Sequence, residues 1–391
     1  MEKKRALYIS SNLFPVDSGA VIYTYGNILR FAKYFEIDLV SYVQSKDVAS
    51  EEYYEKLVET INSFYSLPFY KKTSEFIYFG ISNRFFFQKY SKAMLKQIKN
   101  LLASNDYSYI IIDGFLIYYL TFILRRQKPG CKIILIEHNI EFQNLLEEFS
   151  YEKRPVRKIL LKLYEAGSKR FEIESWLNSD YILFISERDK SSAEEILDGR
   201  KRLNVLPPSF PFRQVKSNDE LEKNSFNLLI LGNMWWYPNI EGAKWFLEDV
   251  FPAIKKLDDR YRVFVVGRNP SELLSLYKSE SIVFTGSVRS VDEYIRKCDL
   301  LIVPNFSGGG IKIKIYEGIK KGIPVFARPE SIVGYTEEIF PESFLASEAS
   351  DFARKIVEMN RNFELKKKFI DNAQKILKEF EDIEPIVNDM D

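Results

Sequence analysis

Residues 301–318 read LIVPNFSGGGIKIKIYEG, an apolar run followed by three glycines and a segment of helical character. An apolar strand that leads through glycines into a helix is typical of a parallel α/β sheet covered on both faces. Glycines let backbone N–H groups approach a ligand closely, and a helix N-terminus adds partial positive charge. Lys312 and Lys314 add two full charges, so the segment predicts a diphosphate site. Its expected binding residues are Gly308, Gly309, Gly310, Ile311, Lys312 and Lys314.

Glu317 lies further along the same helix, where a carboxylate can accept hydrogen bonds from two ribose hydroxyls. The segment is not a P-loop, because the glycine spacing and the Lys-Ser/Thr pair are wrong, and it lacks the Gly-x-Gly-x-x-Gly dinucleotide motif. A tight strand-to-helix turn with solvated lysines is the purely structural alternative. We favour the functional interpretation because strand, glycines, lysines and glutamate occur together.

Alternating strands and helices extend from this segment through the whole chain. In the first half, strands are predicted at 6–11, 37–42, 109–112, 132–136 and 181–185, with helices at 21–34, 87–102 and 159–177. In the second half, strands are predicted at 226–231, 262–266, 281–284, 299–303 and 324–327, with a helix at 240–256. Prolines and then a polar stretch mark a boundary near residues 205–225.

This pattern predicts two doubly wound, Rossmann-like α/β domains that face each other across a cleft. Ligands are expected outside the carboxyl ends of the strands. The predicted domains are residues 1–205 and residues 206–370. Residues 371–391 are predicted to form a C-terminal helix that packs back on the first domain.

Composition narrows the class of protein. With 391 residues the chain is too long for one core, and 46% apolar and 28% charged residues are typical of a soluble globular protein. A net charge of +1 gives no overall field that would favour nucleic acid, so no nucleic-acid partner is expected. Cys131 and Cys298 adjoin apolar runs and are expected in the core, which fits a reducing, cytosolic setting. No apolar stretch is long enough to span a membrane.

The run from Gly308 to Val325 resembles the donor-binding segment of the retaining glycosyltransferases of family 4, which have the two-domain GT-B fold. The matching residues include Lys314, Ile315, Glu317, Gly318, Gly322, Pro324 and Val325. The resemblance implies that the second domain binds a nucleotide-sugar donor, that Glu317 holds its ribose, and that the first domain lies on the acceptor side. A glutamate common in the family eight positions upstream is Gly309 here. This departure resembles a Gly-Gly-Gly subgroup and favours backbone N–H contacts to the sugar.

The loop after the first strand of the second half, residues 232–239, reads GNMWWYPN and is similar to the same subgroup. Many family members carry an arginine after this glycine and a lysine further on. Here Gly232 and Asn233 are the expected donor contacts, so the diphosphate charge falls to the two lysines and to backbone donors. The aromatic residues 235–237 are interpreted either as a packed cluster or as a sugar platform. Val288 lies in a loop that resembles the base-binding loop of the family.

His138 is the only histidine, and it directly follows the predicted strand at residues 132–136. A hydrogen-bonded structural role is the ordinary expectation for a lone histidine. The run Glu-His-Asn-x-Glu is similar to the family's central motif, however, which implies that His138 lies beside the reacting sugar. Gly19 matches a glycine loop that approaches the donor phosphates, and Asp17 is a candidate acceptor base or helix cap.

A basic stretch with interleaved apolar residues suggests two alternatives, a helix lying on an anionic membrane surface or a solvated helix face. Its cationic residues are Lys153, Arg154, Arg157, Lys158, Lys162, Lys169 and Arg170. We expect a cytoplasmic protein, with the inner face of the cell membrane as its site if the first alternative holds. Ser186 with its following acids is expected to be a helix N-cap.

The resemblance implies a metal-independent retaining transfer of a hexose to a glycan or lipid-linked acceptor in bacterial surface polysaccharide or glycoprotein glycan synthesis. His138, Lys314 and Glu317 are the expected catalytic residues, no cofactor or metal is expected, and a UDP-sugar is favoured over a GDP-sugar as donor. Two alternatives remain. One is a catalytically silent partner that stabilises an active glycosyltransferase, and the other is a sugar-nucleotide epimerase of the same fold.

Overall fold

The computed structural model describes residues 3–16, 18–43, 51–68, 75–78, 87–151, 154–215, 225–234, 236–268, 276–307 and 310–390. The chain forms two compact units. The first unit comprises Met1–Phe210 together with Glu381–Asp391, and the second comprises Pro211–Phe380. Each unit has its own parallel sheet.

The first unit is organised around a seven-stranded sheet in the order β3-β2-β1-β6-β7-β8-β9, in which every pairing is parallel. Its strands are β1 (Lys4–Phe14), β2 (Phe35–Val43), β3 (Ser63–Pro68), β6 (Tyr109–Asp113), β7 (Lys132–Glu137), β8 (Tyr181–Phe184) and β9 (Arg202–Val205). A separate hairpin pairs β4 (Glu75–Tyr78) with β5 (Phe87–Tyr90). The direction of winding reverses between β1 and β6, which is where such sheets bind ligands.

The helices of the first unit cover this sheet. They are α1 (Gly19–Phe31), α2 (Glu51–Thr60), α3 (Lys92–Ser104), α4 (Tyr119–Gln127), α5 (Glu141–Tyr151), α6 (Pro155–Leu177), α7 (Glu187–Leu197) and α14 (Glu384–Met390), with a 3-10 turn at Phe115–Ile117. The strands β6 and β8 are buried along their whole length, and β7 is buried after its first residue. Continuous burial explains why these strands are runs of Ile and Leu rather than alternating sequences.

The second unit has a five-stranded parallel sheet in the order β12-β11-β10-β13-β14. Its strands are β10 (Phe226–Leu231), β11 (Tyr261–Val266), β12 (Ile282–Gly286), β13 (Leu300–Val303) and β14 (Val325–Ala327). Its helices are α8 (Tyr237–Trp245), α9 (Phe251–Leu257), α10 (Asp292–Lys297), α11 (Ile313–Lys321), α12 (Ala349–Asn360) and α13 (Phe363–Glu379), with 3-10 turns at Pro329–Ser331 and Glu342–Phe344. Here the winding reverses between β10 and β13.

Two predicted helices are wrong in their bounds. The helix predicted at 87–102 begins only at Lys92, because the Ser91 side chain caps it by accepting from the N–H of Met94, and Phe87–Tyr90 is a strand instead. The helix predicted at 240–256 is two α-helices separated by a π-helical segment at Phe246–Val250. In both cases an apolar helical period continues across a local change in backbone geometry.

The last helix belongs to the first unit. The carbonyl oxygen of Met390 accepts hydrogen bonds from the hydroxyls of Tyr109 and Tyr181 and from the ammonium of Lys132. These three donors come from the starts of β6, β8 and β7, which lie at the edge of the sheet opposite the carboxyl ends of its strands. The helix α14 is therefore held away from the edge at which ligands are expected.

Candidate functional site

In the second unit, the reversal of winding brings two predicted loops together. The loop after β10 carries Gly232 and Asn233, and the loop after β13 runs from Pro304 to Lys312. Gly242 in α8, the helix that follows the first loop, permits close packing against the second loop: a Cβ there would lie 2.6 Å from the carbonyl oxygen of Pro304. The strand order therefore assembles the predicted donor loops at one edge of the sheet.

An amide network joins these loops to Lys314. The Asn305 side chain donates from Nδ2 to the carbonyl of Pro238 (2.9 Å) and to Oδ1 of Asn239 (3.1 Å). The Asn239 side chain in turn donates to the carbonyl of Asn233 at 3.0 Å. The ammonium of Lys314 donates to Oδ1 of Asn239 (2.9 Å) and of Asn305 (3.2 Å). Neutral amide oxygens thus orient a cation without neutralising it.

Lys312 lies beside this network at the N-cap position of α11. Its side chain is buried, its ammonium donates to the carbonyl of Gly310 at 3.3 Å, and it lies 5.8 Å from the ring centre of Trp236. Gly310 has a φ of 69°, a left-handed conformation that favours glycine. Ile311 is buried in the same loop. The predicted residues Gly308 and Gly309 lie outside the described residues, as does Trp235.

The charged form of Lys314 is disfavoured by its surroundings. Burial and the positive charge of Lys312 lower the pKa of Lys314 from its ordinary value to about 7. Both lysines stand at the start of α11, where the helix dipole also disfavours cations, and its first turn holds no acid. An anion bound here would offset the burial of the Lys314 ammonium, its repulsion by Lys312 and the unfavourable helix dipole.

Glu317 lies one turn further along α11 and is mostly buried. Its Oε1 accepts from the ammonium of Lys321 at 2.7 Å. The structure thus separates Glu317 from the two loop lysines and gives it a cationic partner of its own. Val288, the predicted base-loop residue, is half-buried in the loop between β12 and α10.

In the first unit, His138 belongs to a cluster around a carboxylate that the sequence interpretation missed. Its Nε2 lies 2.5 Å from Oδ1 of Asp113, the last residue of β6, which is fully buried. The same carboxylate accepts from the hydroxyls of Tyr8 (2.5 Å) and Thr24 (3.0 Å). The ring of Tyr23 packs edge-on against the imidazole with centroids 5.0 Å apart. The imidazole is therefore held by one nitrogen and one face, with 15% of its side chain exposed.

The helix α1 contributes Thr24 and Tyr23 to this cluster, and Gly19 is its first residue. Ser18 stands at the N-cap position, but its side chain makes no capping hydrogen bond, and Asp17 lies outside the described residues. Asp113, α1 and His138 meet where winding reverses between β1 and β6. By contrast, Ser186 caps α7 by accepting from the N–H of Asp189 at 3.2 Å, as predicted.

Two buried carboxyl groups anchor the segments that flank His138. Glu137 accepts from the indole of Trp176 (2.5 Å) and the hydroxyl of Tyr118 (2.7 Å), and burial raises its pKa to about 8. Glu172 accepts from the N–H groups of Glu141 and Phe142 at the start of α5 (2.8 and 3.0 Å), and burial raises its pKa well above the usual range. These two carboxyl groups fix the segment on either side of the histidine.

The start of α6 presents a mixed surface. Val156 is 71% exposed and Ile159 63% exposed, and Lys162, one turn on, is also exposed. Lys153 lies outside the described residues, and nothing is assigned to the side chain of Arg157. Among the described residues, no helix has the length and apolar character needed to cross a bilayer. Nor, within the same ranges, do three His, Cys, Asp or Glu side chains group in a way that could hold a metal ion.

Two doubly wound parallel sheets in one chain match solved glycosyltransferase structures of the GT-B fold, so the predicted fold class is confirmed. Residues 225–362 match the family model described as glycosyl transferases group 1. The chain is 23% identical over 362 residues to an uncharacterised 44.6 kDa protein in the cps region of Klebsiella pneumoniae, with 88% of this chain and 87% of that protein covered.

Solved structures with a similar fold include a UDP complex and a glycosyltransferase. HepE from Anabaena, in complex with UDP, gives a TM-score of 0.63 at 12% identity, with 99% of this chain and 98% of that chain covered. WaaG, a glycosyltransferase involved in lipopolysaccharide biosynthesis, gives a TM-score of 0.61 at 13% identity, with 95% and 94% covered. At these identities the structural similarity shows only the fold. Substrate and mechanism have to be inferred from the candidate site.

Two residues of these clusters, and Lys321 beside Glu317, had a weak or absent signal in the sequence. Asp113 ends the apolar run YIIID, and a polar residue at the end of a buried strand is the one cue that could have singled it out. Asn305 follows Pro304 in the quoted segment but has no distinctive motif. Lys321 resembles any surface lysine at an i+4 position from a glutamate.

Proposed function

We propose that this protein is a retaining, metal-independent glycosyltransferase that moves a hexose from a nucleotide-diphosphate sugar, with a UDP-sugar favoured, to a glycan or lipid-linked glycan acceptor. Bacterial surface polysaccharide or glycoprotein glycan synthesis is the proposed setting. The observation that carries the proposal is the buried ammonium of Lys314 at the start of α11, which donates to the amide oxygens of Asn239 and Asn305 and lies close to a second lysine, Lys312.

In the proposed reaction the bond between the anomeric carbon and the diphosphate oxygen breaks, and a bond from that carbon to the acceptor oxygen forms on the same face. The acceptor proton passes to the departing phosphate. Negative charge that develops on the diphosphate is stabilised by Lys312, Lys314 and the N–H groups at the start of α11 and of the glycine loop. The ammonium of Lys314 is already held by Asn239 and Asn305 before the reaction, so this group needs little reorganisation.

The remaining predicted residues take supporting parts in the proposal. Glu317 accepts hydrogen bonds from the ribose hydroxyls, and the Gly232–Asn233 loop approaches the phosphates. His138 interacts with the reacting sugar, and Asp113 holds its imidazole through Nε2, which leaves Nδ1 for the substrate. Gly19 approaches the donor phosphates.

Two observations support the proposed partners, a nucleotide-sugar donor and a membrane surface. HepE is described in complex with UDP and with UDP-glucose, which supports a nucleotide-sugar donor here. The exposed apolar residues Val156 and Ile159, next to Lys162, support contact with an anionic membrane surface. We accordingly propose a cytoplasmic location at the inner face of the cell membrane.

A catalytically silent partner protein is the second candidate. Gly309 and Asn233 stand where related enzymes carry an acid and an arginine, and both differences reduce the number of charged donor contacts. A silent partner would keep the fold and lose nucleotide binding. The buried Lys314 favours the enzyme, since a site with no anion to bind gains nothing from a lysine with a lowered pKa.

The test is thermal unfolding of the native chain and of Glu317→Ala with a panel of nucleoside diphosphates. A ligand that binds only the folded state raises the melting temperature by mass action. We expect a shift with UDP that is reduced in the variant. The absence of a shift with every nucleotide would overturn the proposal in favour of the silent partner. With binding established, hydrolysis of the UDP-sugar in the absence of acceptor would support the transferase.

A further inference from the structure

Lys321, the last residue of α11, is a buried cation that the proposed reaction does not use. Its side chain is 9% exposed, and its ammonium lies 2.7 Å from Oε1 of Glu317 and 2.7 Å from Oδ1 of Asp292. Glu317 is four residues earlier on the same helix, whereas Asp292 is the first residue of α10. One ammonium therefore joins carboxylates from two different elements.

Other contacts fix the lysine in place. Its ammonium lies 4.8 Å from the ring centre of Phe212, and its carbonyl oxygen accepts from the N–H of Val215 at 2.9 Å. The pKa of Lys321 is raised: burial opposes the charged form, but the charges of Glu317 and Asp292 outweigh it. The ammonium is thus kept charged in a position where water is largely excluded.

An ordinary i,i+4 pair between lysine and glutamate on a helix surface contributes little and constrains little, because both side chains are mobile and screened. Three features separate Lys321 from that case: its burial, its aromatic neighbour and its second carboxylate. Asp292 follows the loop that contains Val288, so the ammonium links Glu317 to the end of that loop.

We propose that Lys321 is a positioning residue for recognition of the nucleoside part of the donor. It orients the carboxylate of Glu317 toward the ribose hydroxyls and, through Asp292, fixes the end of the loop that carries Val288. This inference rests on the proposed function, in which Glu317 faces the ribose. Lys321 itself touches neither the sugar nor the phosphates.

The experiment compares three ligands on the full chain by titration calorimetry: UDP, 2′-deoxy-UDP and inorganic pyrophosphate. Lys321→Met keeps the length of the stem beside Phe212 and removes the charge. Lys320→Met removes the same charge from the neighbouring position as a control. For the native chain and the control we expect UDP to bind about tenfold more tightly than 2′-deoxy-UDP, the value of one hydrogen bond to a charged group.

For Lys321→Met we expect the ratio of UDP to 2′-deoxy-UDP affinity to fall to within about twofold of one, while pyrophosphate affinity stays unchanged. A merely structural role would weaken pyrophosphate and UDP together, and that result would overturn the inference. A native-like ratio in Lys321→Met would do the same. Asp292→Asn, at a more exposed position, is the second variant, for which a lowered ratio is expected.

If Lys321→Met does not fold, the ratio in Asp292→Asn decides, and a native value there overturns the inference. The result for the native chain separates this inference from the proposed function. A native chain that binds no nucleotide contradicts the proposed function. A native chain that binds UDP but does not distinguish it from 2′-deoxy-UDP leaves donor binding intact and overturns only the ribose role of Glu317 and Lys321.

Discussion

The His138 cluster of the first unit and the Lys314 cluster of the second unit stand at equivalent points of two similar sheets, yet their charges are arranged in opposite ways. In the first, the Asp113 carboxylate accepts from three donors and is fully buried. In the second, the Lys314 ammonium contacts two neutral amide oxygens and faces a second lysine.

The difference shows in which cluster other protein groups already compensate the buried charge. We call the Asp113 cluster complete in this sense and the Lys314 cluster incomplete. Donors from Tyr8, Thr24 and His138 compensate the desolvation of Asp113, so that cluster stabilises the folded chain. The Lys314 cluster costs stability until an anion arrives, because its cation is buried and repelled. We therefore interpret the first cluster as a preorganised support and propose the second as the binding site.

The largest expected effect is on the complete cluster. Asp113→Ala leaves the buried hydroxyls of Tyr8 and Thr24 and the partly buried imidazole of His138 without their acceptor, and should lower the free energy of unfolding by about 3 kcal/mol or more. Urea denaturation measures it. The exposed Asp371→Ala is the control and should change stability by less than about 0.5 kcal/mol. Equal stabilities for both variants would refute the assignment of Asp113 as the centre of the cluster.

The second effect is on the Lys314 cluster, where the substitution should change ligand affinity rather than stability. Lys314→Met removes a charged donor to the diphosphate, so UDP affinity should fall by about 2 kcal/mol, roughly thirtyfold. Stability without ligand should not fall, because the variant no longer buries an ammonium. Calorimetry and urea denaturation test the two statements. Native-like UDP affinity would place the donor phosphates elsewhere, and Lys320→Met controls for net charge.

The third effect is a pH dependence of UDP binding. The pKa of Lys314 in the free protein is about 7, and a bound diphosphate favours the ammonium and raises that pKa. Above pH 7 the protein must then take up a proton on binding, so affinity falls as pH rises, by up to about tenfold per pH unit. Titrations at pH 7.5 and 8.5 measure this slope. Lys314→Met should show none of it, and an equal slope in the variant would contradict the assignment.

The lowered pKa of Lys314 also sets the direction in which the free energy of unfolding changes with pH. The unfolded chain holds the proton of Lys314 up to about pH 10.4, while the folded chain releases it near 7. The cost of burying the ammonium is therefore complete below pH 7 and is relieved as pH rises through the interval between the two pKa values. Lys314→Met should flatten this part of the stability profile.

The smallest effect is expected at the edge of the incomplete cluster. Trp236 is partly exposed, and its ring centre is 5.8 Å from the ammonium of Lys312, so Trp236→Ala should weaken UDP binding by about 0.5–1 kcal/mol. The adjacent Tyr237→Ala, of similar exposure, is the matched control and should leave UDP affinity unchanged. A loss larger than that of Lys314→Met would mean that the aromatic ring, rather than the amide-held lysine, dominates the site.

Much of the architecture was predictable because it depends on local patterns. Runs such as residues 133–136 and 300–303 are apolar throughout, and only strands buried on both faces require that. The glycine loop before α11 was visible for a similar reason, since close backbone approach and a helix start need particular residues in consecutive positions. The bounds of the helix near Lys92 were missed because the hairpin strand before it continues the same apolar pattern.

By itself, the sequence determined the two parallel sheets, the glycine loop with Lys312, Lys314 and Glu317, and the place of His138 after its strand. Only the tertiary structure decided which partners these residues meet. Asp113 reaches His138 across 25 positions of the chain, and Asn239 reaches Lys314 across 75. Charge balance depends on distance and burial, and neither is written in any local pattern, because strands far apart in sequence become neighbours only when the sheet forms.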